Sequence, residues 1–138
     1  MKPKFVISVF FMILCGLLTG QVPDSLKYVS LRPIEFQQAY NREEKALLVD
    51  VREFFEYRKS RLKNAVNIPS SGKLARAADT LNREVPLFLY CTSGLRSKRV
   101  AKFFYDKGFL KPYSLDGGIK GWKKEGMPVE KKRIRGRE

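Results

Sequence analysis

Two short apolar runs, ALLVDV at Ala46–Val51 and PLFLY at Pro86–Tyr90, constrain the fold of this chain more than any other feature. Neither alternates apolar and polar residues in the manner of a half-exposed strand, so each reads as a strand covered on both faces, the situation inside a parallel sheet. Between them SGKLARAADTLNRE sets Leu74, Ala77, Ala78 and Leu81 at i, i+3, i+4 and i+7. That spacing predicts an amphipathic helix, with Ser70 or Ser71 as its cap. A strand, a helix and a second buried strand in that order imply an α/β fold, a central mainly parallel β-sheet with helices on both faces.

The remaining segments continue the alternation. YVSLRPIEFQQAYNREE predicts a short strand, a turn and a helix with apolar positions Ile34, Phe36, Ala39 and Tyr40. REFFEYRKSRL reads as a short helix and NAVNIP as a strand stopped by Pro69. After residue 91, Val100, Phe103 and Phe104 form a helical stripe that Gly108 ends. YSL is the last strand and GGIKGWKKEG a glycine-bounded helix, in which Trp122 is expected to anchor the core. No segment repeats another.

The first 20 residues have another character. Lys2 and Lys4 precede a 14-residue apolar stretch, Phe5 to Leu18, which is short for a membrane span and has the layout of a secretory signal peptide. A lipoprotein signal at Cys15 is disfavoured by Leu14, which stands where a small residue is needed, and an uncleaved anchor is the other alternative. The sequence thus divides into a signal peptide (1–20), a linker (21–27), one domain (28–129) and a solvated basic tail (130–138). The expected location is outside the cytoplasm, the periplasm for a bacterial source, with membrane contact only through an uncleaved signal segment.

Removal of that segment leaves Cys91 as the only cysteine and lowers the net charge from +14 to +12. An exported domain with one unpaired thiol invites a reactive role, although a cysteine buried as a small hydrophobe is the commoner fate. There is no histidine, which excludes Ser-His-Asp and Cys-His catalysis and the usual zinc and haem sites. The positive charge attracts anions without choosing among them.

Cys91 stands in CTSGLR, directly after the PLFLY strand and before a helix expected to start near Leu95 or Arg96. Ligands of open α/β sheets bind at that place, beyond the carboxyl ends of the strands. The helix start would present unpaired N–H groups and Arg96 a fixed cation, both favouring a negative sulfur. Gly94 permits the backbone to curl so that successive amides point inward as an anion nest, and Thr92 and Ser93 are too small to fill it. Thr92, Ser93, Gly94, Leu95, Arg96 and Ser97 are therefore the candidate substrate-binding residues around a thiolate nucleophile, Cys91.

Three separated stretches, spanning about Val29 to Pro128, resemble the rhodanese-like family of thiosulfate sulfurtransferase type. LLVDVREFFEYRKSRLKNAVNIP resembles its first signature, LFLYCTSGLRSKRVAKFF its strand, loop and helix, and LDGGIKGWKKEGMPV its C-terminal signature, with Gly117, Gly118, Gly121, Trp122, Gly126 and Pro128 in register. The chain departs from the pattern at Ser60, Arg61 and Leu62, where a Gly-His-Ile-like triplet is usual, and at Ile119, where a bulkier residue is common. Cell-cycle dual-specificity phosphatases share the architecture but carry C-x5-R, whereas Cys91 and Arg96 enclose four residues. A tighter loop suits, by that resemblance, sulfur and not a phosphoryl group.

The resemblance implies sulfur transfer from a small anionic donor such as thiosulfate to cyanide or a thiol, including that of a thioredoxin-like protein, through a persulfide on Cys91. It implies no metal and no organic cofactor. Arg96 would orient the donor or brace the loop through its carbonyls. Asp50 and Arg52 are expected to form a structural ion pair, while Lys98 and Arg99 face solvent. The alternatives are an inactive docking module, a phosphatase or arsenate-reductase-like enzyme, and a basic surface or nucleic-acid binder, the last opposed by export.

Overall fold

The computed structural model describes residues 20–131, so the signal segment with Cys15, apart from Gly20, and the tail beyond Lys131 lie outside the described residues. The apolar runs form the centre of a five-stranded sheet. Its strands are β1 (Val29–Leu31), β2 (Leu47–Asp50), β4 (Val66–Asn67), β5 (Leu87–Tyr90) and β6 (Tyr113–Leu115). They lie in the order β1-β6-β5-β2-β4 with every pair parallel, Leu47 to Asp50 of β2 standing opposite Leu87 to Tyr90 of β5.

The helices are α1 (Pro33–Arg42), α2 (Phe54–Lys59), α3 (Leu74–Thr80), α4 (Leu95–Asp106) and α5 (Gly118–Lys124). Because a strand points successive side chains to opposite faces, Val49, Leu87, Leu89 and Cys91 pack with Ala78, Val100, Ala101 and Phe104 of α3 and α4. Leu48, Phe88, Tyr90 and Leu115 pack on the other face with Phe36 of α1 and Ile119 and Trp122 of α5. Burial of each large apolar side chain contributes about 1.5–3 kcal/mol, so both layers are needed. From β2 the chain winds outward to β4, and from β5 it winds the other way to β6, with the first strand, β1, at the edge beyond it. The carboxyl ends of β2 and β5 therefore flank the crevice where winding reverses.

Three local expectations need correction. The segment read as a linker holds a 3-10 turn, Asp24–Leu26, and is tied to α4: Lys27 Nζ lies 2.9 Å from Asp106 and Lys102 Nζ 2.9 Å from Asp24. These exposed pairs join residues far apart in sequence, which no local pattern reveals. The helix over REFFEYRKSRL stops at Lys59, and Ser60–Arg61 (β3) pairs antiparallel with Glu130–Lys131 (β7), the first residues of what the sequence presents as a free tail. Finally, α3 has Lys73 at its N-cap with no side-chain bond, because Ser71 donates its hydroxyl to Glu53 instead, at 2.7 Å.

Among the described residues no helix is long and apolar enough to cross a membrane. Ile34 is exposed, although Phe36 beside it is buried as expected.

Candidate active site

Strand β5 is buried along its whole length and delivers Cys91 to the face covered by α4, with 2% of the residue exposed. The chain must then turn within three residues to enter the helix. Gly94 makes this possible at φ +96°, a conformation that side chains rarely adopt, and a Cβ there would meet Gly117 N and Leu115 O at 3.2 Å. The turn brings two backbone donors onto the sulfur: Gly94 N–H and Ser97 N–H donate to Cys91 Sγ at 3.1 and 3.4 Å. Helix α4 starts at Leu95, so the first-turn amides of Leu95 and Arg96 have no intrahelical acceptor, and its dipole favours negative charge at this end.

The loop is held from behind by α5. Ile119 N–H donates to Cys91 O at 2.8 Å and Lys120 N–H to Thr92 O at 3.1 Å. In a trans peptide the N–H points opposite its carbonyl, so the amides of Thr92 and Ser93 are turned away from α5. Ser97 Oγ donates to Gly94 O at 3.1 Å and lies 2.9 Å from Ser114 Oγ of β6, both hydroxyls being buried.

The structure brings the predicted residues together with divided roles. Gly94 and Ser97 reach the sulfur through their backbones. Thr92 is half-buried and its hydroxyl is engaged elsewhere, Ser93 is exposed, and the Leu95 side chain is in solvent, so Leu95 contributes only its amide. Arg96 braces no carbonyl of the loop; its Nη1 lies 3.5 Å from Glu56 Oε2.

Glu56 is the residue that the sequence reading missed. It comes from α2, accepts the Thr92 hydroxyl on Oε1 at 2.9 Å, and takes the Glu53 amide on Oε2 at 3.1 Å. Burial pushes its carboxyl up, but the Thr92 and Glu53 hydrogen bonds and the charges of Arg96 and Arg52 outweigh this and hold it below its ordinary value. A signal existed: α2 follows β2, and the neighbour of β5 in a parallel sheet sends its own strand-to-helix connection to the same end.

Asp50 and Arg52 form the expected structural pair. Arg52 Nε and Nη2 donate to the two Asp50 oxygens at 3.0 and 2.6 Å, and Nη2 also reaches Ser60 O at 2.7 Å, all of it buried. Trp122 anchors the core as expected, with Nε1 donating to Pro128 O at 2.9 Å. Arg99 is exposed, whereas Lys98 is paired with Asp116 at 3.3 Å. A cavity of about 160 Å³ opens on the α1 and α5 side, between Phe36, Tyr40, Leu62 and Trp122, and none of the loop residues lines it.

Among known proteins, the chain is similar to thiosulfate sulfurtransferase GlpE of Actinobacillus pleuropneumoniae, 32% identical over 87 residues that cover 63% of this chain and 80% of that protein. It is 30% identical to the uncharacterized protein YqhL of Bacillus subtilis over 122 residues, 88% of this chain and 94% of that one. Its fold matches the crystal structure of a rhodanese-related protein from Thermoplasma volcanium, with a TM-score of 0.65, 29% identity, and coverage of 75% of this chain and 98% of the other. Residues 33–125 match the model of the rhodanese-like domain, and with the loop and its two supporting helices in place the chain belongs to the rhodanese-like family.

Proposed function

We propose that the protein is a sulfurtransferase that carries sulfane sulfur on Cys91 between an anionic donor and a thiophilic acceptor. The observation that carries this reading is the pair of backbone N–H groups of Gly94 and Ser97 on Cys91 Sγ, inside a loop of four residues between Cys91 and Arg96. Fixed amide dipoles stabilise a charge on sulfur without any histidine. The similarity to proteins named thiosulfate sulfurtransferase supports the same reading.

With thiosulfate as donor, Cys91 thiolate attacks the outer sulfur. A new S–S bond forms to Cys91, the bond to the sulfonate sulfur breaks, and sulfite leaves with the electron pair. The product is a Cys91 persulfide anion, stabilised by the amides of Gly94 and Ser97 and by the start of α4. Cyanide or a thiolate then attacks the terminal sulfur, takes it as thiocyanate or a new persulfide, and returns the Cys91 thiolate. No net oxidation is needed, and neither a metal nor an organic cofactor enters. Arg96, at the rim, orients the donor. We further propose that the chain acts after export, with a thiol or a thioredoxin-like protein as its acceptor there.

The test is the intact mass of the purified protein after incubation with thiosulfate. Wild type is expected to gain one sulfur, Cys91→Ser to gain none, and cyanide to remove the gain. If wild type gains nothing from thiosulfate or any other sulfane donor, the sulfurtransferase reading fails and a docking module replaces it.

A further inference from the structure

We propose that Glu56 is a specificity-determining residue that biases the loop against dianionic donors and toward donors of lower charge, such as thiosulfonates and organic persulfides. The proposal rests on the sulfurtransferase reading and adds the donor class.

The chain carries +14 overall, yet the two guanidinium groups whose charges act on Glu56 are themselves compensated. Arg52 is spent on Asp50 and Ser60 O. Arg96, the cation of the loop itself, faces Glu56 at 3.5 Å. The carboxylate is ionised at neutral pH and is fixed on two sides, by the Thr92 hydroxyl at 2.9 Å and the Glu53 amide at 3.1 Å. Thr92 directly follows Cys91, so this negative charge is seated on the loop that must receive the donor.

Its effect on a donor scales with the donor's charge, because Coulomb energy is linear in each charge. A dianion meets twice the repulsion that a monoanion meets, and gains correspondingly less from a cation already neutralised. Glu56 and Arg96 are both partly exposed, with 23% and 39% of their side chains accessible, so the effect is moderated by solvent and screened by salt. The remaining attraction at the sulfur comes from the backbone amides of Gly94 and Ser97, which a change at Glu56 leaves in place.

The experiment compares persulfide formation from thiosulfate, a dianion, and benzenethiosulfonate, a monoanion that releases benzenesulfinate in the same displacement. Glu56→Gln keeps an acceptor for the Thr92 hydroxyl and removes the charge. At low salt kcat/KM for thiosulfate should rise about tenfold, mainly through KM, and that for thiosulfonate about threefold, half the change on a logarithmic scale. The ratio of the two donors should then shift about threefold, and the shift should vanish in 1 M salt. Glu56→Asp, which keeps the charge, should retain the wild-type ratio. Both donors are read in one preparation, so any loss of folded protein cancels from the ratio.

An unchanged ratio in Glu56→Gln, or an equal loss with both donors, overturns the proposal and leaves Glu56 a structural support of Thr92. A second arm needs no turnover: in a Cys91→Ser background, Glu56→Gln should tighten sulfate binding severalfold, followed through the amide resonances of Gly94 and Ser97. Equal sulfate affinity overturns the proposal even if the protein never forms a persulfide, and a failure of persulfide formation in wild type refutes only the sulfurtransferase reading.

Discussion

Gly118 lies against the carbonyl of Cys91 so closely that a Cβ on it would stand 2.5 Å from that oxygen. The same Cβ would meet the Thr92 carbonyl at 2.6 Å, and φ at Gly118 is +58°. The closeness has a purpose, since it lets the first amides of α5 reach the loop carbonyls from behind. The glycine pair that carries the C-terminal signature is thus part of the candidate site.

Gly118→Ala is expected to be among the most damaging single substitutions in the molecule. The new methyl group strikes backbone that cannot swing aside, so we expect a loss of about 3 kcal/mol or more in chemical denaturation, and slower persulfide formation in the protein that remains folded. Gly126→Ala is the control. Gly126 has φ +75° but open space around its Cα, so only backbone strain of about 1–2 kcal/mol should appear, with persulfide formation unchanged.

The fold was legible because its central strands are buried on both faces: ALLVDV and PLFLY announce themselves by lacking alternation. Cys91 and Gly94 were legible for a related reason, since a strand end, a glycine and a helix start are all local patterns. Glu56 was not, because its role depends on β2 lying beside β5, and register between strands is not written in either strand. The pairing of Ser60–Arg61 with Glu130–Lys131 escaped for the same reason, with two-residue strands too short to show a period.

The buried pair of Asp50 and Arg52 should behave as a unit. Removing one partner leaves an uncompensated charge in the core, so Asp50→Asn and Arg52→Met are each expected to cost about 3–5 kcal/mol in urea unfolding. The double variant should cost clearly less than the sum, because it leaves no orphaned charge. Additivity within a few tenths of a kcal/mol would show that the two side chains do not depend on each other.

Ser97 and Ser114 make a smaller version of the same test. Their hydroxyls are buried and 2.9 Å apart, and Ser97 also serves Gly94 O. Ser114→Ala should cost about 1 kcal/mol, and Ser97→Ala about 2 kcal/mol since it strands the Ser114 hydroxyl and leaves Gly94 O with the Lys98 amide alone. Only Ser97→Ala should also slow persulfide formation, because only Ser97 holds the turn whose amide meets the sulfur. Equal slowing by both variants would mean that the loop is positioned by β6 as a whole.

The acid sensitivity of the fold should carry a contribution from Glu56. Its carboxyl is held below the ordinary value of 4.5 in the folded chain, burial opposing and the Thr92 and Glu53 hydrogen bonds and the charges of Arg96 and Arg52 prevailing. A group whose folded value is depressed adds stability that is fully present above its unfolded value and is lost as pH falls through the folded one. Wild type should therefore exceed Glu56→Gln by about 1 kcal/mol at pH 7, and the two urea midpoints should converge as pH falls below the ordinary carboxylate value and through the depressed folded one, where the wild-type carboxyl is protonated and resembles the amide. Thr92→Val should narrow the same gap by removing the strongest of the bonds that favour the carboxylate. A gap that stays constant from pH 7 to pH 3 would mean that Glu56 acts by shape alone, and the electrostatic account of the loop would lose its main support.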